Sequence, residues 1–204
     1  MCLRTIRTTV TESSAPQVCL ASASPRRREL LAQIGVIHIV RPAHIDETVR
    51  PGESARAHVV RLAREKALAV HTLDASLPVL GADTTVALDG EILGKPGSRE
   101  EAIAMLMRLS DRTHDVLTAV ALVTNEGVFE RLSESRVTFR ALEPAECGAY
   151  WDTGEPRDKA GGYAIQGFGA VFVSGLSGSY SGVMGLPLFE TAELLRGYRL
   201  QAAG

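Results

Sequence analysis

An aspartate in the middle of an apolar strand is the first feature of this sequence that points to chemistry. Residues 79–88 are apolar and β-branched, and the following Asp89-Gly90 favours a type I′ turn, which predicts a β-hairpin over residues 79–96. Alternation along the strand puts Asp83 opposite its apolar face. Because an ionised carboxylate is costly to bury, Asp83 needs a cation, a metal ion or a water-filled cleft. A solvated strand face is the alternative.

Lysine is scarce in this chain, and its few positions are unusual. Among the 22 basic residues, the only lysines are Lys66, Lys95 and Lys159. Lys66 lies on the apolar stripe of a helix predicted over residues 54–70, and Lys95 lies between a glycine and a proline after the hairpin. Since a compact ammonium differs from the broad arginine fork, these lysines mark sites where an ammonium is needed. Chance placement and a snorkelling Lys66 are the alternatives.

A serine-rich loop leads into a helix whose first turn is basic. Ser24 is a good N-cap and Pro25 suits the first helical position. The helix start offers backbone N–H groups and the positive end of the helix dipole, which together form a ready anion site. Arg26 and Arg27 oppose that dipole, so helix stability does not explain them. An anionic ligand such as phosphate does, and a solvated basic face is the alternative.

The roles of an acidic pair and of one histidine remain open from the sequence. Asp46 and Glu47 form an acidic pair that suits a hard metal ion, although most such pairs are solvated loop charge. His114 precedes an apolar strand and could act as a base, but a lone histidine is more often structural.

Composition and charge exclude several classes of protein. The chain has 204 residues, of which 45% are hydrophobic and 23% charged, as in ordinary soluble globular proteins. A net charge of −2 gives no support for binding a nucleic acid polymer, and no apolar run is long enough to cross a membrane. Three cysteines without zinc or redox spacing indicate a reduced protein, which we expect in the cytoplasm.

The order of predicted elements indicates an α/β fold with a mixed sheet. Residues 1–16 lack the apolar run of a secretory signal, so we expect a poorly ordered extension followed by one domain over residues 17–204. Ser98 and Glu101 predict a capping box. We predict strands at 17–21, 37–40, 79–88, 115–124, near 137–139 and at 170–173, and helices at 25–34, 54–70, from 98, at 144–154 and from 187.

Five segments match one family in the same order. They are Leu-Ala-Ser-Ala-Ser-Pro-Arg-Arg from Leu20, Gly-Ala-Asp-Thr from Gly81, Gly-Lys-Pro from Gly94, Asp-Lys-Ala-Gly-Gly-Tyr-Ala-Ile-Gln-Gly from Asp158, and Gly-Ser-Tyr through Gly-Leu-Pro-Leu near the end. The chain thus resembles the Maf family of nucleoside triphosphate pyrophosphatases. The resemblance implies a mixed, twisted sheet with flanking helices and two lobes around a central cleft, similar to inosine triphosphate pyrophosphatases.

The resemblance also implies a reaction and a set of site residues. The reaction is metal-dependent hydrolysis of a nucleoside triphosphate to the monophosphate and pyrophosphate. The implied catalytic set is Ser22, Glu47, Lys66, Asp83 and Lys95, with Asp83 as the proton acceptor. Glu47 and Asp83 would hold Mg²⁺ or Mn²⁺, which raises Glu47 from loop charge to a site residue. The expected partner is the nucleotide, and a homodimer is implied only by the resemblance.

The residue after Ser-Pro separates two branches of the family. It is typically aromatic in the branch that acts on 7-methyl-GTP, and here it is Arg26. Together with Thr84 and Gln166, it resembles the branch acting on dTTP and UTP. A glutamine amide can pair with N3–H and a carbonyl of uracil or thymine, although a loop-bracing hydrogen bond is the alternative for Gln166. Arg27 and Lys159 complete the predicted substrate-binding set.

Other functions remain open from the sequence. These are a 7-methyl-GTP pyrophosphatase, a phosphatase that releases orthophosphate, and a nucleotide-binding regulator of septum formation and cell division. Binding alone would not need Asp83 and Glu47, because carboxylates repel phosphate unless a metal lies between them. Ser181-Gly182 departs from the Tyr-Asn that other members often carry, which leaves the shape of that loop open.

Overall fold

The computed structural model describes residues 15–198, so the predicted extension at 1–16 lies outside the described residues except for its last two. No helix in this range is long and apolar enough to cross a membrane. The elements are β1 (Val18–Leu20), α1 (Pro25–Gln33), β2 (His38–Val40), α2 (Ala55–Leu73), β3 (Val79–Leu88), β4 (Glu91–Leu93), α3 (Arg99–Leu109), β5 (Thr113–Thr124), β6 (Gly127–Phe139), α4 (Pro144–Asp152), β7 (Val173–Ser177), α5 (Tyr180–Met184) and α6 (Leu188–Gly197).

Seven strands form one mixed sheet flanked by helices, which confirms the predicted fold class. Six strands lie in the order β2-β1-β3-β5-β6-β7, and β4 pairs with the end of β3. The β2, β1 and β3 strands run parallel and are connected through α1 and α2. From β3 to β7 the pairing is antiparallel, because those strands are joined through hairpins and returning segments.

The central strand, β3, is covered along only part of one edge. Its other edge pairs with β5 over nearly its whole length. On the first edge, β1 pairs with β3 only as far as Leu80, and β4 pairs with β3 only from Val86 onward. Among the described strands, none pairs with residues 81–85 on that side, and Asp83 lies in the middle of this gap. The sheet is therefore interrupted beside the residue that the sequence singled out.

The turn after β3 has the predicted type I′ geometry. Asp89 and Gly90 have φ values of 51° and 82°. Positive φ at both central residues matches the right-handed twist of the two strands. The turn brings β4 back along β3, and Lys95 follows directly after this return strand.

Gly81 lets α2 lie closer to β3 than any side chain would allow. A Cβ at this position would collide with the carbonyl oxygen of Ala63 and would lie 2.8 Å from the backbone nitrogen of Ala67. Lys66 projects from the same turn of α2. Gly81 therefore sets how near Lys66 can come to Asp83, two residues further along β3.

Three apolar clusters fill the interior. One packs α2 on one face of the sheet around Val59 and Ala121, and another packs α1 and α6 on the opposite face around Leu31 and Leu122. The third lies beyond the hairpin, between α3, α4 and Tyr163. The cleft described below is bordered by residues of the first and third clusters and by the start of α1.

The strand predicted at 170–173 is wrong. The chain forms a 3₁₀ turn at Phe168–Phe172, and β7 follows at Val173–Ser177. The carboxylate of Glu155 accepts hydrogen bonds from the first two N–H groups of this turn at 2.9 and 3.0 Å. These hydrogen bonds hold the backbone in a turn instead of an extended strand. This contact depends on tertiary structure, so the apolar run alone indicated a strand.

Two other predictions differ in detail. The strand β6 begins at Gly127, well before the predicted position near 137–139. None of its first six residues is buried, so this half of the strand lacks the alternation of buried and exposed residues that predicts a strand. At α3, Ser98 accepts the N–H of Glu101 as predicted, but the Glu101 carboxylate accepts the N–H of Gly97. The capping box is therefore only half formed.

Candidate active site

A cleft of about 720 Å³ opens at the gap in β3. Its walls come from the loop between β1 and α1, from α2, from β3 and β4, and from the Gly-rich segment after α4. All three lysines of the chain line it, which supports a functional reason for their placement. The predicted site residues that line the cleft are Ser22, Arg26, Arg27, Glu47, Lys66, Asp83, Thr84, Lys95 and Lys159.

Lys66 joins two carboxylates at the floor of the cleft. Its ammonium donates to Asp83 Oδ1 at 2.7 Å and lies 2.7 Å from Glu47 Oε1. The side chains of Lys66 and Asp83 are each 9% exposed, so the solvated strand face and the snorkelling lysine are both wrong. The ammonium offsets the cost of burying Asp83, and its removal would leave a buried carboxylate uncompensated.

Glu47 reaches the same centre from the loop between β2 and α2. Its second carboxylate oxygen lies 3.6 Å from Lys95 Nζ. Partial burial raises the pKa of Glu47, but the hydrogen bond and charge of Lys66, together with the charge of Lys95, bring that pKa below its usual value. Glu47 is therefore ionised at neutral pH.

The donor set at this centre fits a hard divalent cation. Carboxylate oxygens are the ligands that Mg²⁺ and Mn²⁺ prefer, and Asp83 and Glu47 each use only one oxygen on Lys66. Within residues 15–198, no group of three or more His, Cys, Asp or Glu residues is arranged to hold a metal ion. A cation here would complete its coordination with water and with ligand phosphate oxygens, as Mg²⁺ usually does.

The start of α1 brings Ser22 to the cleft. Ser24 caps the helix by accepting the N–H of Arg27, and Pro25 occupies the first helical position, as predicted. The Ser22 hydroxyl oxygen accepts the N–H of Ser24 at 3.2 Å and a guanidinium N–H of Arg27 at 3.3 Å. Because both contacts use its lone pairs, the hydroxyl hydrogen is left to donate to a ligand.

Arg27 bridges the gap in β3 with its side chain. The guanidinium donates to the carbonyl oxygens of Ala82 at 2.8 Å and Gly185 at 2.7 Å. It also donates to the hydroxyls of Ser22 and Thr84 at 3.3 and 3.2 Å. The carbonyl of Ala82 lies on the uncovered edge of β3, so Arg27 supplies a hydrogen bond that no strand provides. The sequence predicted a substrate contact, whereas the structure shows an arginine joined to four protein groups.

Arg26 and Lys159 bring two further positive charges to the cleft. Burial lowers the pKa of Lys159, and the charge of Arg26 lowers it further. Burial also lowers the pKa of Arg26, whose Nε–H has no hydrogen-bond partner among the described residues. Cations held together in this way are expected where an anion binds. Their placement agrees with a phosphate site at the start of α1.

The residues predicted to select the base are not all in the cleft lining. Arg26 and Thr84 belong to it, and Gln166 is exposed immediately after Ile165, which lines the cleft. The Thr118 hydroxyl donates its only hydrogen to the carbonyl oxygen of Gly182 at 2.7 Å, so it accepts from the Thr84 hydroxyl at 3.0 Å. The Thr84 hydroxyl in turn accepts from Arg27 at 3.2 Å, so the protein sets its orientation.

Sequence reasoning did not single out His58 or Tyr163, which also line the cleft. The signal for His58 was its place, with Arg61, among apolar residues on one face of α2. The Tyr163 hydroxyl lies 2.7 Å from Nε2 of His114, which is 2% exposed. Burial lowers the pKa of His114 to about 4, so it is neutral at pH 7. His114 does not line the cleft, which favours the structural alternative over a base.

Comparison with known proteins agrees with this geometry. The family model described as "Maf-like protein" matches residues 17–198. The chain belongs to the Maf family.

Relatives of this Maf protein share most of its length. A protein of Alkalilimnicola ehrlichii named dTTP/UTP pyrophosphatase is 57% identical over 186 residues, covering 88% of this chain and 92% of the relative. Proteins with the same name from Bordetella avium and Methylobacillus flagellatus are 53% and 54% identical. They cover 89% and 88% of this chain, and the matches span 94% and 92% of those relatives.

The fold of this Maf protein is also found in a solved structure of low sequence similarity. The Staphylococcus aureus Ham1 protein matches with a TM-score of 0.50 and 14% identity. The match covers 90% of this chain and 97% of the Ham1 chain. At this identity the likeness concerns the fold alone.

Proposed function

We propose that this Maf protein hydrolyses dTTP and UTP, or modified forms of these pyrimidine nucleotides, to the nucleoside monophosphate and pyrophosphate. The observation that carries the proposal is the cluster of Asp83, Lys66 and Glu47 at the floor of a cleft rich in cations. The names of relatives more than 50% identical over most of the chain support the substrate and the reaction class.

The charge of the cleft suits a triphosphate. Five cationic and three acidic side chains line it, which gives an excess of positive charge in a protein of net charge −2. A nucleoside triphosphate carries about four negative charges, and the leaving pyrophosphate gains charge as its bond to the α-phosphorus breaks. Lys95 and Arg26 are proposed to hold phosphate oxygens, with Ser22 donating its hydroxyl hydrogen. Catalysis is then mainly positioning and charge stabilisation.

Asp83 is proposed to act on the attacking water. Its Oδ1 is held by Lys66, which leaves Oδ2 to accept a hydrogen bond from a water and then its proton. Asp83 and Glu47 are proposed to hold Mg²⁺ or Mn²⁺, which when bound would neutralise phosphate charge and lower the pKa of a coordinated water. Lys66 contacts one oxygen of each carboxylate and holds both at the floor of the cleft before the substrate arrives.

Arg26, Thr84 and Gln166 are proposed to select the pyrimidine. A glutamine amide donates and accepts at once, which matches the N3–H and a carbonyl of uracil or thymine. Because Gln166 is exposed beside the cleft, we expect it to turn toward the base when the nucleotide binds. An aromatic residue that would stack on 7-methylguanine is absent at position 26, which disfavours that substrate.

A nucleotide-binding regulator without turnover is the second candidate. It would need the cations of the cleft but not the Asp83 and Glu47 carboxylates beside them, since these repel a phosphate in the absence of a metal. Their contacts with Lys66 in the cleft therefore favour an enzyme. We expect the protein to meet its substrate in the cytoplasm, and its assembly as a homodimer stays a prediction.

A nucleotide panel tests the proposal. Purified protein is incubated with UTP, dTTP, CTP, GTP and 7-methyl-GTP in Mg²⁺, Mn²⁺ or EDTA, and products are separated by ion-exchange chromatography. We expect UMP or dTMP with pyrophosphate, and no product in EDTA. Turnover of 7-methyl-GTP alone would contradict the substrate, orthophosphate would contradict the reaction, and no turnover of any nucleotide would favour the regulator.

A further inference from the structure

A buried ion pair anchors the loop that carries Glu47. This segment, residues 41–54, connects β2 to α2 and is here termed the Glu47 loop. The side chains of Glu53 and Arg61 are 8% and 7% exposed, and the guanidinium donates to both Glu53 oxygens at 2.6 and 2.7 Å. The hydrogen bonds from Arg61 hold the pKa of Glu53 far below its usual range, against the effect of burial. A buried pair brings little net stability by itself, so its presence calls for another role.

Both members of the pair also contact the backbone of the Glu47 loop. Arg61 donates to the carbonyl oxygen of Thr48 at 3.1 Å, and Glu53 accepts the N–H of Arg50 at 3.0 Å. Thr48 directly follows Glu47 in the chain. The Thr48 carbonyl belongs to the peptide that joins Thr48 to Val49, so Arg61 fixes the backbone one residue after Glu47.

A turn at the protein surface holds Thr48 from the other side. Oδ1 of Asp46 accepts the Thr48 N–H at 2.9 Å and the Thr48 hydroxyl at 2.6 Å. Glu47 thus lies between a buried anchor and an exposed one. The Glu47 side chain is 43% exposed, whereas that of Lys66 is buried. The contacts of Glu47 with the lysines therefore restrict it less than burial restricts Lys66.

We propose that Glu53 and Arg61, together with Asp46 at the surface, are positioning residues for Glu47, holding the Glu47 loop so that its carboxylate meets Lys66 and Lys95 in the cleft. The kinetic part of this inference rests on the proposed function. A misplacement of about 1 Å can reduce a rate about 100-fold, which makes such an anchor necessary for a carboxylate on a loop. His58, which lines the cleft, lies 3.0 Å from the same Glu53 carboxylate and joins the anchor to the cleft wall.

A double-mutant cycle tests whether Arg61 acts through Glu47. We expect Arg61→Met to lower kcat on UTP about 10-fold to 100-fold, with a smaller change in KM. In a Glu47→Gln background the same change should have little further effect, because the carboxylate that it positions is already gone. An equal loss in both backgrounds, or no loss in either, would overturn the proposal.

Matched variants separate positioning from folding. Arg64→Met changes an arginine one turn away on α2, and it should leave kcat unchanged. The Arg64 side chain is 46% exposed and its contact with Glu130 is long at 3.6 Å. Asp46→Ala removes the exposed anchor and leaves no buried charge without a partner. It therefore tests the proposal even if Arg61→Met does not fold. It should lower kcat only where Glu47 is present, and an unchanged kcat would contradict the proposal.

A measurement without substrate keeps this proposal distinct from the proposed function. A glutamate-specific protease can cut after Glu47 only when the Glu47 loop leaves its place. We expect Arg61→Met and Asp46→Ala to be cut at this bond at least about 10-fold faster than wild type and Arg64→Met, because each removes a local anchor. Faster cutting with no nucleotide turnover in wild type would uphold the anchor and reject the pyrophosphatase. Unchanged cutting would reject the anchor whatever the activity.

Discussion

At the scale of single residues, Lys66 and Asp83 tolerate burial because they are paired. An isolated ammonium or carboxylate at 9% exposure would be costly, and a hydrogen bond of 2.7 Å compensates both. Glu47 adds a second carboxylate on the same ammonium, and its other oxygen lies 3.6 Å from Lys95. The carboxylate oxygens that do not contact Lys66 are the basis of the proposed metal site.

Asp83→Asn tests the proposed proton acceptor. The amide is nearly isosteric but cannot take a proton from water, so we expect kcat to fall at least about 100-fold with an intact fold. The measurement is steady-state turnover of UTP together with thermal unfolding. Asp115→Asn is the control, because Asp115 is an exposed carboxylate on β5 away from the cleft. Turnover of Asp83→Asn within a few-fold of wild type would rule out this role.

Arg27→Lys tests the bridge across the gap in β3. A lysine cannot reach the carbonyls of Ala82 and Gly185 and the two hydroxyls at once, because it lacks the planar fork. We expect a loss of about 2 kcal/mol in the free energy of unfolding from the carbonyls left unsatisfied. Urea denaturation measures it, with exposed Arg28→Lys as the control. Equal stability of the two variants would show that these contacts contribute nothing.

At the scale of elements, the close packing of α2 on β3 places Lys66 beside Asp83. Gly81→Ala puts a methyl group against the carbonyl of Ala63 and the backbone of Ala67. Since the obstacle is backbone, the helix must move, and we expect a loss of about 2 kcal/mol in stability and a reduced kcat. Urea denaturation and UTP turnover provide the two readouts.

Gly197→Ala is the matched control for this substitution. No atom lies within 4 Å of a Cβ at Gly197, and its backbone needs no left-handed φ. It should leave both stability and kcat unchanged. If Gly81→Ala behaved in the same way, the spacing between α2 and β3 would not be what brings Lys66 to Asp83.

Elements with local signals could be predicted from the sequence, whereas those set by distant contacts could not. The turn at Asp89-Gly90 and the cap at Ser24 are decided within a few residues, and both are confirmed. The 3₁₀ turn at Phe168–Phe172 depends on Glu155 from another segment, and its apolar residues resemble a strand. The apolar residues of this segment therefore could not distinguish a 3₁₀ turn from a strand.

The same distinction applies to the site. Asp83 and Lys66 stood out because a charge on an apolar face contradicts the local pattern. The role of Arg27 did not, since its carbonyl partner at Gly185 is far away in the chain. The pair of Glu53 and Arg61 was missed because a loop glutamate resembles ordinary surface charge, although Arg61 shares a face of α2 with apolar residues.

At the scale of the whole molecule, His114 makes the free energy of unfolding depend on pH under acidic conditions. Its pKa in the folded protein is about 4, below the 6.5 of an unfolded histidine. Between these values the unfolded chain binds a proton that the folded protein does not, so stability falls as pH drops from 6.5 towards 4. Above pH 6.5 the contribution disappears.

Replacing His114 should remove this dependence. The His114→Gln variant keeps an acceptor for the Tyr163 hydroxyl but does not titrate. Between pH 7 and pH 5, we expect its free energy of unfolding to fall by about 2 kcal/mol less than that of wild type. Urea denaturation at the two pH values measures it, with exposed His44→Gln as the control. A fall as large as that of wild type would show that His114 is protonated in the folded protein.

The central claim is that water attacks the α-phosphorus of a pyrimidine nucleoside triphosphate held in the cleft beside Asp83. Hydrolysis of UTP in water enriched in the heavy oxygen isotope tests it most directly, because the product that carries the label identifies the phosphorus attacked. Mass spectrometry should find the label in UMP and none in pyrophosphate, and Asp83→Asn should form labelled UMP at least about 100-fold more slowly. Label in pyrophosphate, or the release of labelled orthophosphate with UDP, would contradict the account.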